Sequence, residues 1–168
     1  MTDHQISWKR VGVNLFTVLA RWLLGAVFVY LGLTKALHPV EFLKLLREYG
    51  LTQDAWLLNA LAAALPWFEI FCGLLLLAGV AVRGTALTLA LMLASFTLLV
   101  WYRALLLQAA QNLPFCAVGF DCGCGAGKEF VCRKLSENLV LLALSVWLLR
   151  GRGRQFSLRF TLLKPPAP

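Results

Sequence analysis

The sequence predicts an all-α integral membrane protein: a bundle of four transmembrane helices with a cysteine-rich extracytoplasmic loop between the third and the fourth. Three observations carry that prediction. First, 60% of the 168 residues are hydrophobic, only 14% are charged, and mean hydropathy is +0.76, which is more apolar surface than a water-soluble domain of this size can bury. Second, the apolar residues fall into four runs close to the ~20 residues that a hydrocarbon core of about 30 Å demands. Third, four of the 5 cysteines gather in one polar, glycine-rich stretch, FCAVGFDCGCGAGKEFVC, between the last two runs.

The first run, 14–37, follows Lys9 and Arg10 and has no convincing cleavage site behind it, so it is expected to remain as a signal anchor. In the connection 38–54, PVEFLKLLREYG reads as a short interfacial helix, with Pro39 at its first position and Gly50 as its stop. The second run, 55–82, contains Pro66, a kink position, because proline cannot supply the helical N–H. The third run is 84–106, and the fourth is 133–150, where SENLVLLALSVWLL carries the apolar residues. The segment 151–168 mixes basic and apolar residues. It reads either as a tail lying along the inner headgroups or as a disordered tail. The whole chain, 1–168, is read as one membrane domain.

Four spans place both termini on one side. The 16 basic residues divide nine to seven in favour of that side, and the RGRGR cluster after the fourth run and the short VRGT turn strengthen the bias. The expected topology is N-in and C-in, multi-pass, in a bacterial inner (cytoplasmic) membrane, with lipid as the main surroundings. The cysteine loop then faces the periplasm, where disulfides persist. The net charge of +8 flanks apolar runs instead of forming a soluble basic face, which excludes nucleic acid as a partner.

Basic residues near the inner face serve as depth markers. Lys35 stands 14 residues past Arg21, and Glu69 stands 14 residues before Arg83. At ~1.5 Å per residue, both lie about 21 Å up their helices. The same count reaches Thr97 in the third run and Ser136 in the fourth, beside Glu137 and Asn138. An ionisable group at that depth faces the bundle interior with a partner. Glu69 is therefore expected to pair with Lys35, with Glu137 or Asn138 nearby. This layer of Lys35, Glu69, Glu137 and Asn138 has two readings: it locks the helices together, or it forms a proton path or a quinone-head contact below the cysteines. Cys72, on the face of Glu69, reads as a small hydrophobe. Trp67, Phe68 and Trp101 read as interface anchors before they read as quinone contacts.

Cys116, Cys122, Cys124 and Cys132 follow the pattern C-x5-C-x-C-x7-C. Zinc sites favour C-x2-4-C pairs and iron–sulfur sites C-x2-C runs, and His4 and His38 lie far from the loop. The CGC pair also suits Cu(I), because thiolates are soft ligands, but the loop is read without a metal. Redox exchange fits better. A Cys122–Cys124 bond would be strained and labile. The loop glycines permit it, and Lys128, Arg133 and Lys134 favour thiolate. The catalytic candidates are Cys122 and Cys124, with Cys116 and Cys132. The other reading is two permanent disulfides pinning the loop. Four cysteines allow three pairings, and sequence does not choose among them.

RWLLGAVFVYLGLTKALHP, EYGL, LPWFEIFCGLLLL, the phenylalanine of ASFT, FDCGCG and ENLVLLALS, spread over residues 21–146, together resemble the MauE/DoxX family of redox-associated membrane proteins, on the MauE side. Lys35, Pro39, Gly50, Pro66, Glu69, Cys122 and Cys124 fall on the family pattern. Where the family loop often reads CGCFG, this chain reads CGCGAGK. The resemblance implies a four-helix membrane bundle and support of disulfide formation, or electron transfer, with a thioredoxin-like periplasmic partner. The competing expectation is a non-catalytic accessory subunit of a larger membrane complex, with the loop as a disulfide-stapled docking surface. A transporter reading lacks the paired discontinuous helices such folds use.

Overall fold

The computed structural model describes residues 3–50, 52, 54–111, 113–121 and 128–150. The 151–168 tail lies outside them. Among the described residues there are five helices: α1 (Asp3–Leu37), α2 (Pro39–Glu48), α3 (Ala55–Ala78), α4 (Val82–Gln111) and α5 (Val131–Arg150).

α1 starts well before the first apolar run, because nothing between Asp3 and Gly12 breaks a helix; its span-like part is Gly12–Leu37. α2 is the short helix expected in the first connection. Pro39 stands in its first turn, and Gly50 follows at φ 64. Its i, i+3, i+4 face of Phe42, Leu45 and Leu46 buries against Leu58 and Ala62 of α3.

α3 begins where the Asp54 carboxylate accepts from the Trp56 N–H at 2.9 Å, satisfying one orphan donor of the first turn. It continues through Pro66 and stops at Ala78, short of the expected 82. Gly79 causes the early stop. It adopts the left-handed conformation (φ 75) that a side chain disfavours, and the N–H of Val80 folds back to the carbonyl of Leu75 at 2.9 Å. α4 therefore starts at Val82 instead of 84. It runs past 106 because Leu, Gln and Ala continue a helix well, until Pro114 forbids it.

Among the described residues, three segments are long and apolar enough to cross a membrane: Gly12–Leu37, Ala55–Ala78 and Val82–Gln111. α5 does not meet that standard as a fourth, since every 18-residue stretch of it contains Arg133, Lys134 and Glu137. The described residues of the connection between α4 and α5 carry regular structure that the sequence reading does not include. A 3-10 turn (Phe115–Ala117) leads into a two-stranded antiparallel ribbon, β1 (Gly119–Asp121) with β2 (Lys128–Phe130), in which Gly119 faces Phe130 and Asp121 faces Lys128.

The helices pack as two close pairs, α1 with α3 and α4 with α5. Glycine makes the first pair possible. A Cβ on Gly73 would lie 2.7 Å from the Gly25 carbonyl oxygen, and one on Gly32 would lie 2.7 Å from that of Pro66. Small residues at such a contact let backbones approach and gain dispersion and weak hydrogen bonds, which drive helix association where lipid removes the hydrophobic incentive. Ala20, Leu24 and Phe28 of α1, Leu76 of α3, Ala86, Leu89 and Leu93 of α4, and Leu148 of α5 fill the centre. Outside it, Trp67, Leu91 and Leu98 are exposed at 66%, 62% and 70%, an apolar exterior suited to lipid.

Candidate functional site

Gly32 lets α1 approach α3 along Pro66–Ile70, the turn that carries Glu69. One turn further along α1, Lys35 Nζ donates to Glu69 Oε1 at 2.5 Å, and both side chains are buried. The ammonium also lies 5.0 Å from the ring centroid of Phe96 on α4 and 5.4 Å from that of Phe42 on α2. A carboxylate and two aromatic faces thus replace its water, each attracting a cation. Four helices converge on this one charge. Glu69 Oε2 is buried without a hydrogen-bond partner among the described residues.

A second ionic group stands beside the first. Lys134 of α5 lies 3.8 Å from Glu137 Oε2 and 4.0 Å from Glu129 Oε2 of β2, and its charge acts on the Glu69 carboxylate. Glu137 also accepts from Arg133 Nε at 3.1 Å. The layer expected from sequence therefore divides. Lys35 and Glu69 meet, whereas Glu137 is drawn to basic neighbours on its own helix. Asn138 is buried on the same helix. Thr97 and Ser136 spend their hydroxyls on the carbonyls of Leu93 and Arg133. Phe96, the phenylalanine of ASFT, enters the sequence reading only through the family resemblance, and Phe42, Glu129 and the place of Lys134 in the layer are missed. The i, i+4 relation of Lys134 to Asn138 was the available signal. Trp67, Phe68 and Trp101 turn outward, exposed at 66%, 44% and 52%, as anchors do.

Cys116 and Cys132 form a disulfide with Cα atoms 5.0 Å apart. Of the three pairings left open by sequence, this one places the bond at the outer ends of the loop. Cys122 and Cys124 lie outside the described residues. Two contacts anchor the loop base. Phe115 packs on Trp101 with centroids 5.6 Å apart, and Val118 and Val131, both 0% exposed, pack with Val100, Ala104 and Leu135. The N–H of Val131 donates to the Val118 carbonyl at 3.1 Å, closing the ribbon onto α5. Among the described residues, no three His, Cys, Asp or Glu side chains converge on a metal position.

Between α2, α3 and α4 lies an apolar cavity of about 380 Å³, with Leu45, Tyr49, Leu65, Met92, Ser95 and Phe96 in its lining. Phe96 is shared: its ring lines the cavity and also faces Lys35.

A family model described as methylamine utilisation protein MauE matches residues 13–151, from the first turns of the apolar part of α1 to just past α5. The chain belongs to the MauE family. The matched stretch contains Lys35, Glu69, Phe96, Lys134 and all four loop cysteines, so the MauE match covers the ionic layer and the loop together. Among curated proteins and solved structures, nothing matches this MauE-family chain.

Proposed function

We propose that this MauE-family protein supports thiol–disulfide exchange at the periplasmic face of a bacterial inner membrane, with Cys122 and Cys124 as the exchanging pair and a thioredoxin-like protein as partner. The observation that carries the reading is the Cys116–Cys132 disulfide. It uses two of the four loop cysteines to clamp the base of the ribbon. Redox work is thereby left to the two that lie between β1 and β2 in sequence. In the forward sense, a partner thiolate attacks the Cys122–Cys124 bond and forms a mixed disulfide. The partner's second thiol then resolves it, leaving the partner oxidised and Cys122 and Cys124 as thiols.

In this reading α5 is a fourth span that pairs with α4. Its charged first turns stand at the outer interface and Arg150 at the inner one, giving N-in and C-in. The family description, a methylamine utilisation protein, fits a membrane component that serves an extracytoplasmic enzyme, the substrate being a protein dithiol and not the amine itself.

One observation favours the second reading, an accessory subunit with a stapled docking surface. The loop base is held by a disulfide, an aromatic contact and two fully buried valines, more anchoring than a freely exchanging loop needs. Mass-tagged maleimide, applied to membranes poised at different redox potentials, separates the two. Exchange requires Cys122 and Cys124 to change state, and Cys122→Ala or Cys124→Ala to trap a mixed disulfide with a partner. Constant occupancy under every condition supports docking alone.

A further inference from the structure

The chain segments at the inner end of the bundle are strongly basic. Lys9, Arg10, Arg150, Arg152 and Arg154 stand close to the start of the apolar part of α1 or to the end of α5, and Asp3 is the only acidic side chain in residues 1–20 and 141–168. Among the described residues, no carboxylate pairs with Arg150. Beside Arg150 a groove runs between α5 and the first part of α1. We propose that this groove holds an acyl chain of an anionic phospholipid of the inner leaflet, with the lipid phosphate on Arg150. The choice of leaflet rests on the N-in and C-in orientation proposed above, and nothing in the site depends on the thiol chemistry.

Leu139, Leu142, Ala143 and Val146 recur at i, i+3, i+4 and i+7, so they share one face of α5, and Arg150 ends that face one turn later. Val13 of α1 and Trp147 complete the lining. Phe16 meets the Trp147 ring edge-on with centroids 5.4 Å apart, so α1 holds the aromatic wall in place. The groove encloses about 690 Å³, inside the roughly 300–1,000 Å³ range of small-molecule sites. Apart from Arg150 and the Trp147 indole, every lining side chain is aliphatic. Leu139 and Arg150 are 11 residues apart, ~16 Å at ~1.5 Å per residue, which is close to one leaflet of a hydrocarbon core of about 30 Å. The groove is therefore apolar for the depth of a leaflet and ends in a guanidinium at headgroup level. A diacyl phospholipid has the same division, an alkyl chain that ends near a phosphate. Guanidinium takes phosphate in bidentate, charge-assisted hydrogen bonds, and basic pockets between spans on the cytoplasmic side select anionic headgroups. A zwitterionic lipid fills the apolar part but brings its own cation to a basic site. A second copy of the chain fits worse still. A two-fold interface through this groove would set each Arg150 and its basic neighbours against their equivalents, like charge on like charge.

The test uses the full chain in nanodiscs of phosphatidylcholine doped with a phosphatidylglycerol that carries a diazirine on its acyl chain, and labelled peptides are mapped by mass spectrometry. The proposal expects saturable labelling at 139–150 and around Val13, displaced by unlabelled phosphatidylglycerol and not by inorganic phosphate. Arg150→Gln should weaken that displacement about fivefold, the factor one interfacial basic side chain contributes. Ala143→Trp, which fills the groove, should abolish the saturable labelling. Leu98→Trp, on the exterior of α4, should change neither. Labelling spread evenly over the outward residues of α4, equal labelling by a diazirine phosphatidylcholine, or displacement by inorganic phosphate overturns the proposal. So does a folded Arg150→Gln or Ala143→Trp that behaves as wild type, and so does a dimer cross-linked through α5 in place of lipid labelling. If Ala143→Trp does not fold, the wild-type map and the Arg150→Gln competition decide. Tagging the loop thiols with an impermeant maleimide keeps the orientation separate. A labelled groove with the loop in the cytosol supports the lipid and overturns the choice of leaflet, whereas an unlabelled groove with the loop outside removes the lipid site alone.

Discussion

Lys35 on α1 donates to Glu69 on α3 at 2.5 Å inside a helical bundle, with Phe42 and Phe96 on the ammonium's other sides. A pair this buried is worth little against a well-packed apolar replacement, but losing one member strands a charge in a low-dielectric interior. The pair is therefore best read as a coupled unit.

That coupling predicts a non-additive mutant cycle. Glu69→Leu and Lys35→Met should each destabilise the protein by about 3–5 kcal/mol, while the double variant recovers most of the loss. Thermal unfolding in detergent micelles measures it. A double variant as unstable as the sum of the singles would show that the two charges do not answer each other. Glu69→Gln tests the functional side: normal assembly with normal thiol turnover removes Glu69 from the mechanism.

The α1–α3 seam predicts steep sensitivity to side-chain size. Gly73→Val must place atoms where the Gly25 carbonyl already stands, 2.7 Å from its Cβ position, and should destabilise by about 1–3 kcal/mol from overpacking. Gly84→Ala, with nothing within 4 Å, should be neutral or slightly stabilising through helix propensity. Equal behaviour of the two variants in a chemical-denaturation series would contradict the close-packed seam.

The disulfide predicts a split between stability and chemistry. The bond joins positions 16 apart, and closing a loop of about that length contributes about 3 kcal/mol in the chain-entropy account. Cys116→Ser with Cys132→Ser should lower unfolding temperature yet still trap a mixed disulfide when Cys122→Ala or Cys124→Ala is added. Loss of trapping in a folded double variant would move Cys116 and Cys132 into the exchange itself.

The aromatic faces on Lys35 predict a smaller effect. Phe96→Leu keeps most of the packing and removes the ring, so it should destabilise by about 1–2 kcal/mol, and by clearly less when Lys35 is already methionine. A double-mutant cycle reads the difference, and identical losses in both backgrounds would assign Phe96 to packing alone.

Much of this arrangement was legible in the chain because it depends on local rules. Counting helical rise from Arg21 and Arg83 brings Lys35 and Glu69 to one depth, and the two residues do bond. Pro39 and Gly50 bracket α2 because one starts helices and the other ends them. What stayed hidden depends on how elements meet. Nothing local tells Phe96 from the other phenylalanines of the spans as the one that faces Lys35. The choice of Cys132 as partner for Cys116 follows from the ribbon, whose strands are three residues each and too short to leave a periodic signal. The ends of α3 and α4 shifted because hydropathy marks where lipid begins, while Gly79 and Pro114 decide where helices stop.

The most direct test of the central claim is the sidedness and redox state of Cys122 and Cys124 in intact spheroplasts, read with a membrane-impermeant mass-tagged maleimide. The account predicts that both are tagged from outside after mild reduction and return to the oxidised state when reductant is withdrawn, while Cys116 and Cys132 stay bonded. Tagging only after the cells are lysed, or two thiols that never change state, would contradict it.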